Sequence, residues 1–422
     1  MSGRALRPRR RSRFWAPLLR FGRLLVGALR WRPWRGPRAA RLLCEHMGPV
    51  YIKFGQIVGS SPGVFPVEYV DEFQRCLDRV PAFPFAAVQD ILGAELGPAA
   101  RELEVAPVPL ASASIAQVHA ARLGSQDLVV KVQRPGIERL ASADLRVLGF
   151  AAGLLERLSR QARGANLPGM IADFWSTLRE ELDFRKEAAN LERFNCIMGR
   201  LGYADVRAPR PEHALTTERV LVMERFRGFR IDDLERLRQR PVDPEERLIR
   251  GVRAWFQCVL CEGFFHGDVH AGNLMLLDDN ALGFLDFGIV GRFDARQRRL
   301  ITNYLIASAT ADYRGLARVI AEMIGARAVN EDALAQDLKI AFGPLLTARI
   351  ADLRYGALLP EIQRVAATHG LFMPREFVLI TKQLLYFDRY ARAIAPHMNV
   401  FTDPRLVMSL GAEIVAATAA GG

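Results

Sequence analysis

Apolar and polar positions change period several times along the chain. Phe14, Leu18, Phe21, Leu25 and Leu29 recur at helical spacing, with Arg13, Arg20, Arg23 and Arg30 on or near the opposite side. That pattern predicts an amphipathic helix. Pro and Gly gather at 31–37 and separate it from helical patterns over 38–58 and 67–96, which the Ser60-Ser61-Pro62-Gly63 turn joins and Pro81 and Pro84 punctuate. The period then shortens to two. Ile115 to Leu123 and Leu128 to Gln133 read as strands around Gly124-Ser125, a hairpin signal. Helical patterns follow at about 138–162 and 168–200, then a β-rich run from Arg219 to Glu224. Beyond Asp243-Pro244 the pattern is helical, except that Leu274 to Leu277 and Leu282 to Leu285 flank Asp278-Asp279-Asn280 as a second hairpin. A helical extension, a small sheet with one long helix, and a helical lobe holding a hairpin make an α+β layout with a cleft between two lobes.

Charge changes the reading of the first stretch. The chain of 422 residues carries a net charge of +12, yet residues 1–41 contain thirteen Arg and no acid, so the remainder is almost neutral. The basic character belongs to an arm and not to the surface of the fold. Interleaved Phe and Leu, with Trp15, Trp31 and Trp34, suit an anionic membrane surface better than phosphate alone, so no nucleic-acid partner is expected. Arg20, Arg23 and Arg30 interrupt every apolar run of the arm, and no other stretch offers eighteen uncharged apolar residues, so no transmembrane segment is predicted. Five scattered cysteines do not form a disulfide framework and point to a reducing compartment. Cys258-x-x-Cys261 sits in an apolar helical run without a second pair, as core cysteines do.

The densest chemistry is His266-Gly267-Asp268-Val269-His270-Ala271-Gly272-Asn273, followed by Asp286-Phe287-Gly288. Phosphoryl transfer needs a carboxylate near the attacking hydroxyl or water, and a divalent cation held on the phosphates by a second carboxylate and an amide oxygen. Asp268 fits the first role; Asn273 and Asp286 fit the second, brought face to face by the intervening hairpin. Oxygen ligands favour Mg²⁺ over zinc. Lys131 lies in the apolar strand Leu128 to Val132, where a cation is costly unless paired, and Glu187 is its natural partner. The chain has only five Lys among 58 basic residues, so a Lys here answers a need for a compact ammonium. The segment from Pro109 to His119 holds the place of a phosphate-covering loop but contains no glycine, so the loop should be stiff. No G-x-x-x-x-G-K-[ST] sequence occurs, which excludes the P-loop class.

With these motifs the chain resembles the UbiB (AarF) family of atypical protein-kinase-like proteins, from about Gly48 to Ile289 and on through the C-terminal helices. Lys53-Phe54-Gly55-Gln56 matches the family's K-x-G-Q signature, Glu181-Leu182-Asp183 its E-x-D signature, and Ala111, Ser112, Ala113 and Ser114 its alanine-rich loop. Val269 and Ala271 stand where the family's catalytic loop commonly has prolines. The resemblance implies a protein-kinase-like two-lobe fold divided into an arm (1–41), a helical extension (42–106), a small lobe (107–224) and a helical lobe (225–422). It implies ATP and Mg²⁺ as cofactors, with Lys131, Glu187, Glu224 and the alanine-rich loop around the nucleotide. Lys53 and Gln56 would fold over the cleft near Glu181 and Asp183. It also implies a place in isoprenoid-quinone synthesis, with quinone precursors or quinone-synthesis enzymes as partners. The expected location is peripheral to a membrane, at its cytoplasmic face or, in the alternative, the mitochondrial matrix face. Gly267 stands where typical protein kinases have Arg, and no Ala-Pro-Glu signature follows Gly288, which disfavours a peptide-binding platform. ATP hydrolysis, a phosphotransferase with a small-molecule or protein acceptor, and a catalytically silent nucleotide-binding scaffold all stay open.

Overall fold

The computed structural model describes residues 36–406, apart from 60–66, 74, 77–79, 159–166, 325–328, 348–364, 366–367, 370–374, 396–397, 399–402 and 404. The arm helix expected over 14–31 lies outside the described residues. The extension consists of α1 (Pro37–Met47), α2 (Pro49–Gly59) and α3 (Val67–Phe73). Two helices therefore replace the one expected over 38–58. Gly48 makes the break with φ 112°, and Pro49 has no N–H to continue the ladder.

After α4 (Phe85–Leu96) comes β1 (Leu103–Ser112), a strand that begins inside the segment assigned to the helical extension. Next are β2 (Ala116–Leu123), β3 (Gln126–Gln133), α5 (Ile137–Leu158), α6 (Leu167–Glu181), α7 (Phe184–Arg200), β4 (Val206–Arg207) and β5 (Val220–Glu224). Strands β1, β2, β3 and β5 form one antiparallel sheet in that order. Alternation sorts its two faces. Leu128, Val130 and Val132 of β3 join Val220 and Val222 of β5 in packing on Val88, Ile91 and Leu92 of α4. Val129 of β3 and Leu221 of β5 belong to the other face, within the main core that includes Phe184, Ala188 and Leu191 of α7.

The second lobe contains β6 (Gly228–Arg230), α8 (Leu234–Arg238), α9 (Pro244–Gln257), β7 (Phe264–His266), β8 (Leu274–Leu277), β9 (Leu282–Phe284) and β10 (Val290–Arg292). Helices α10 (Ala295–Ala309), α11 (Tyr313–Ile324), α12 (Glu331–Thr347) and α13 (Arg375–Ile394) follow among its described residues. Asp243 caps α9, and Asp294 with Gln297 forms a capping box on α10. The hairpin expected after Asn273 is β8–β9, turned by Asn280 at φ 64°. Trp255 centres the lobe's core, with the rings of Phe256, Phe265 and Phe387 at 5.4, 5.6 and 5.4 Å. Cys258 is fully buried in the helical turn after α9, and all five cysteines are free. Among the described residues no helix is long and apolar enough to cross a membrane.

Candidate active site

The same alternation that buries Val130 and Val132 turns Lys131 to the opposite face, toward the cleft. Its Nζ lies 2.9 Å from both carboxylate oxygens of Glu187 and 3.1 Å from Asp286 Oδ1, with the Phe184 ring centroid 5.4 Å away. Glu187 comes into reach because the helical run 168–200 is not continuous. It breaks at Leu182 and restarts at α7, where the Asp183 carboxylate accepts from the N–H of Arg185. Glu187 thus sits in the first turn of α7, the electropositive end of the helix. Burial alone would lower the Lys131 pKa, but Asp286 and Glu187 together raise it above its ordinary value. Asp286 keeps half of its side chain in solvent, so its partial desolvation is outweighed, and Lys131 and Lys53 hold its carboxyl well below the usual range. Burial pushes Glu187 up to about 7 against the pull of Lys131, and the Asp286 carboxyl adds to the rise.

His266, at the end of β7, organises the loop that bears Asp268. Its Nδ1 accepts the Asp268 N–H at 3.0 Å, which leaves Nε2 as the protonated nitrogen donating to Leu285 O at 2.8 Å. Its ring meets Phe287 edge-on at 4.6 Å, and Trp255 Nε1 donates to its carbonyl. Burial depresses the His266 pKa and favours the neutral ring. One imidazole therefore ties the Asp268 loop to the Asp286-Phe287-Gly288 segment. Asp286 itself has φ 56°, a left-handed conformation that Asp tolerates better than most residues. Asn273 donates its amide to Asp268 O at 2.9 Å, so its Oδ1 remains available to a ligand. Behind Gly288, Asn190 donates to Phe287 O and accepts from Arg292.

The extension reaches this cluster through Lys53, whose Nζ is 2.8 Å from Glu181 Oε2. Burial lowers the Lys53 pKa, but Glu181, Asp286 and Asp268 more than compensate, so its charge belongs to the same site. Glu181 Oε1 is buried without a hydrogen-bond partner, and burial raises this carboxyl. Gly55 explains its place in the signature: a Cβ there would lie 2.9 Å from the Phe73 ring and 3.0 Å from Cys76 Sγ. Gln56 is half-buried on α2. Asp183, two residues from Glu181, caps α7 and forms a two-pronged pair with Arg185.

Ala111 and Ser112 end β1, while Ala113 and Ser114 form the tight connection to β2. Arg134, just past β3, fastens this loop. Its guanidinium donates to Ser114 O, Ala113 O, Ser112 Oγ and Pro81 O, and lies 5.3 Å over the Phe83 ring. Glu224, at the end of β5, exchanges hydrogen bonds with the Arg210 backbone. Two residues had escaped the sequence reading, Arg134 and Gln383. Arg134 follows an apolar strand directly and could have been noticed. Gln383 is 114 residues from its partner at Val269, and no local pattern marks it.

A two-lobe cleft holding a strand lysine paired to a helix glutamate, opposite an Asp loop and an Asp-Phe-Gly turn, defines a kinase-like site. Residues 75–320 match the model of the ABC1 atypical kinase-like domain, and residues 339–399 that of the UbiB helical domain. The chain belongs to the ABC1/UbiB atypical kinase-like family. It is 41% identical over 403 residues to an aarF domain-containing protein kinase of Arabidopsis thaliana described as chloroplastic, a match covering 88% of this chain and 74% of that protein. A probable protein kinase UbiB of Marinobacter nauticus is 33% identical over 380 residues, covering 87% of this chain and 68% of the relative. In fold, the chain is similar to a solved Mycobacterium tuberculosis protein whose structure is described as a complex with erythromycin. That likeness has a TM-score of 0.50 and 22% identity, and covers 92% of this chain and all of that one.

Proposed function

We propose that the chain is an ATP-binding, Mg²⁺-dependent ATPase or kinase that supports isoprenoid-quinone synthesis at a membrane surface. The observation that carries the reading is the position of Lys131, held by Glu187 and touching Asp286 inside the cleft. An ammonium so placed could receive nucleotide phosphates, and Asp286 would be a residue to hold a metal ion on them. Around it two lysines, Lys53 and Lys131, face four carboxylates, Glu181, Glu187, Asp268 and Asp286. A divalent cation would offset that negative excess.

The donor set fits Mg²⁺. Asp286 and Asn273 offer hard oxygen ligands, and no group of three or more His, Cys, Asp or Glu suited to a metal occurs among the described residues. An ion held by one carboxylate and one amide takes the rest of its shell from phosphates and water, as Mg²⁺ does. When bound, the ion would neutralise charge on the phosphates. Asp268 would orient the attacking hydroxyl or water, with His266 holding its backbone in place.

The extension favours a small acceptor or water over a polypeptide, because Lys53 enters the charge cluster where a peptide would have to lie. The basic arm is assigned to an anionic lipid surface, and the quinone role is suggested by the relatives named UbiB. The test is phosphate release from ATP and Mg²⁺, with and without anionic vesicles and phenolic quinone precursors. Asp268→Asn should leave nucleotide affinity nearly intact and lower turnover by about 10²–10⁴. Equal turnover in the variant would make Asp268 structural; no turnover in the parent protein under any condition would leave the silent scaffold.

A further inference from the structure

We propose that Gln383, on helix α13, is a positioning residue for Asp268, and that the C-terminal helical domain thereby sets the catalytic loop. The inference rests on the phosphoryl-transfer reading of the site but concerns a residue outside the cleft. Gln383 is fully buried. Its Oε1 accepts the Val269 N–H at 2.8 Å, and its Nε2 donates to Gly267 O at 2.7 Å. A single side-chain amide therefore grips the backbone on both sides of Asp268. Nε2 also donates to Leu379 O at 3.0 Å, one turn back on its own helix, which fixes the orientation of the amide.

The grip extends along one face of α13. One helical turn beyond Gln383, the Tyr386 ring meets His270 at 6.4 Å; Phe387 packs on Trp255, whose indole holds His266 O. Two turns on, the Tyr390 hydroxyl donates to Val269 O at 2.8 Å. Positions 383, 386, 387 and 390 recur at helical spacing, so one stripe of the helix seats the loop from His266 to His270. Both backbone groups of the fully buried Val269 are thus satisfied by α13. A loop without proline has no covalent stiffness of its own at these positions, and its conformation depends on such partners. Asp268 is held from one side by His266 and from the other by Gln383. A displacement of about 1 Å in an orienting group costs on the order of 10²-fold in rate.

The experiment uses the full chain and two variants. Gln383→Leu keeps the bulk but leaves Val269 N–H and Gly267 C=O without their partner. Gln383→Glu restores both bonds only as the neutral acid, which accepts from Val269 and donates to Gly267. Ionisable groups on the elements packed around this amide include Tyr386, Arg389 and Tyr390 on the helix, His266, Asp268 and His270 on the loop, and Asp232 near Tyr390. None of these changes between the parent and Gln383→Glu. A buried carboxyl has a raised pKa, so the turnover of Gln383→Glu relative to the parent protein at matched pH should climb as pH falls below about 8. Gln383→Leu should keep nucleotide affinity within about threefold and lose on the order of 10²-fold in turnover, with no such pH trend. Turnover of Gln383→Leu within about twofold of the parent, or a flat ratio for Gln383→Glu, overturns the proposal. If Gln383→Leu does not fold, the pH trend of Gln383→Glu decides alone. If the parent protein shows no turnover, the functional reading has failed instead, and amide exchange at Val269 then decides this one. Loss of protection confined to the His266–Asn273 loop supports it, and unchanged protection overturns it.

Discussion

Lys53→Met tests how firmly the extension is tied to the cleft. The ion pair it removes is 2.8 Å long, and its side chains are 16% and 5% exposed, so solvent screens it little. At an effective dielectric constant of about 20 the attraction is about 6 kcal/mol before desolvation of either partner. The measurable loss is smaller, because burying Lys53 has its own cost and because Glu181 can take up a proton. Neutralising a carboxyl of ordinary pKa near 4.3 at pH 7 costs about 4 kcal/mol, which caps the charge part of the penalty. Breaking a buried pair from one side usually costs about 3–5 kcal/mol. We therefore expect Lys53→Met to lower stability by about 3–4 kcal/mol at pH 7, read from urea unfolding midpoints. The sign of the pH dependence follows from Glu181. Burial already raises its carboxyl, and removing Lys53 raises it further. A group with a raised folded-state pKa contributes fully below its unfolded value and loses that contribution as pH rises through the folded one. The deficit of Lys53→Met should thus shrink toward about pH 4.3. Adding Glu181→Gln should recover the loss to within about 1 kcal/mol. A loss below about 1 kcal/mol in Lys53→Met, or a deficit independent of pH, would refute the account.

His266 has a depressed pKa, so its contribution is complete above the unfolded value near 6.5 and should fall by up to about 1.4 kcal/mol per pH unit below it. The difference in urea midpoint between the parent and His266→Asn should carry this slope between pH 7 and pH 5.5, because the opposing contribution of Glu187, raised to about 7, is common to both. For the arm, the full chain should sediment with anionic liposomes at low salt, and a chain starting near Gly48 much less. Each Arg near the surface contributes up to about 1 kcal/mol, diminishing with salt. Replacing Leu18, Phe21 and Leu25 by Ser should weaken binding with every Arg kept, and equal competition by RNA would reduce the arm to a plain polycation.

The parts of the fold that could be read in advance are those where burial and period agree. Lys131 interrupts an apolar strand with two-residue alternation, and the turn residues Asp278 to Asn280 separate two short apolar runs, so both hairpins were visible. Strand β1 was not. It is an edge strand carrying Pro107 and Pro109, with Val108 75% and Leu110 53% exposed, so neither alternation nor burial marks it. The corner at Leu182 and Asp183 was hidden because apolar residues continue across it at helical spacing. What ends α6 is the change of partner: Leu182 enters the core, and the Phe184 N–H bonds to Glu218 O. The lysine–glutamate pair and the Asp268 loop could be inferred from residue chemistry alone. The support from α13 could not, since it depends on chain segments more than a hundred residues apart.

That corner between α6 and α7 has a thermodynamic consequence. Glu181 closes one helix and Glu187 opens the next, so two carboxylates six residues apart answer to lysines from separate parts of the chain. One lysine comes from the extension and the other from the sheet. Both lysines act on the Asp286 carboxyl. A ligand that drew Lys131 away from Asp286 would change the hold of Asp286 on Lys53, and so how tightly the extension is bound. Linkage makes the effect reciprocal: docking of the extension must change affinity for that ligand by the same factor. On the proposed ATP-binding reading, nucleotide occupancy and the position of the extension would be one equilibrium observed from two ends.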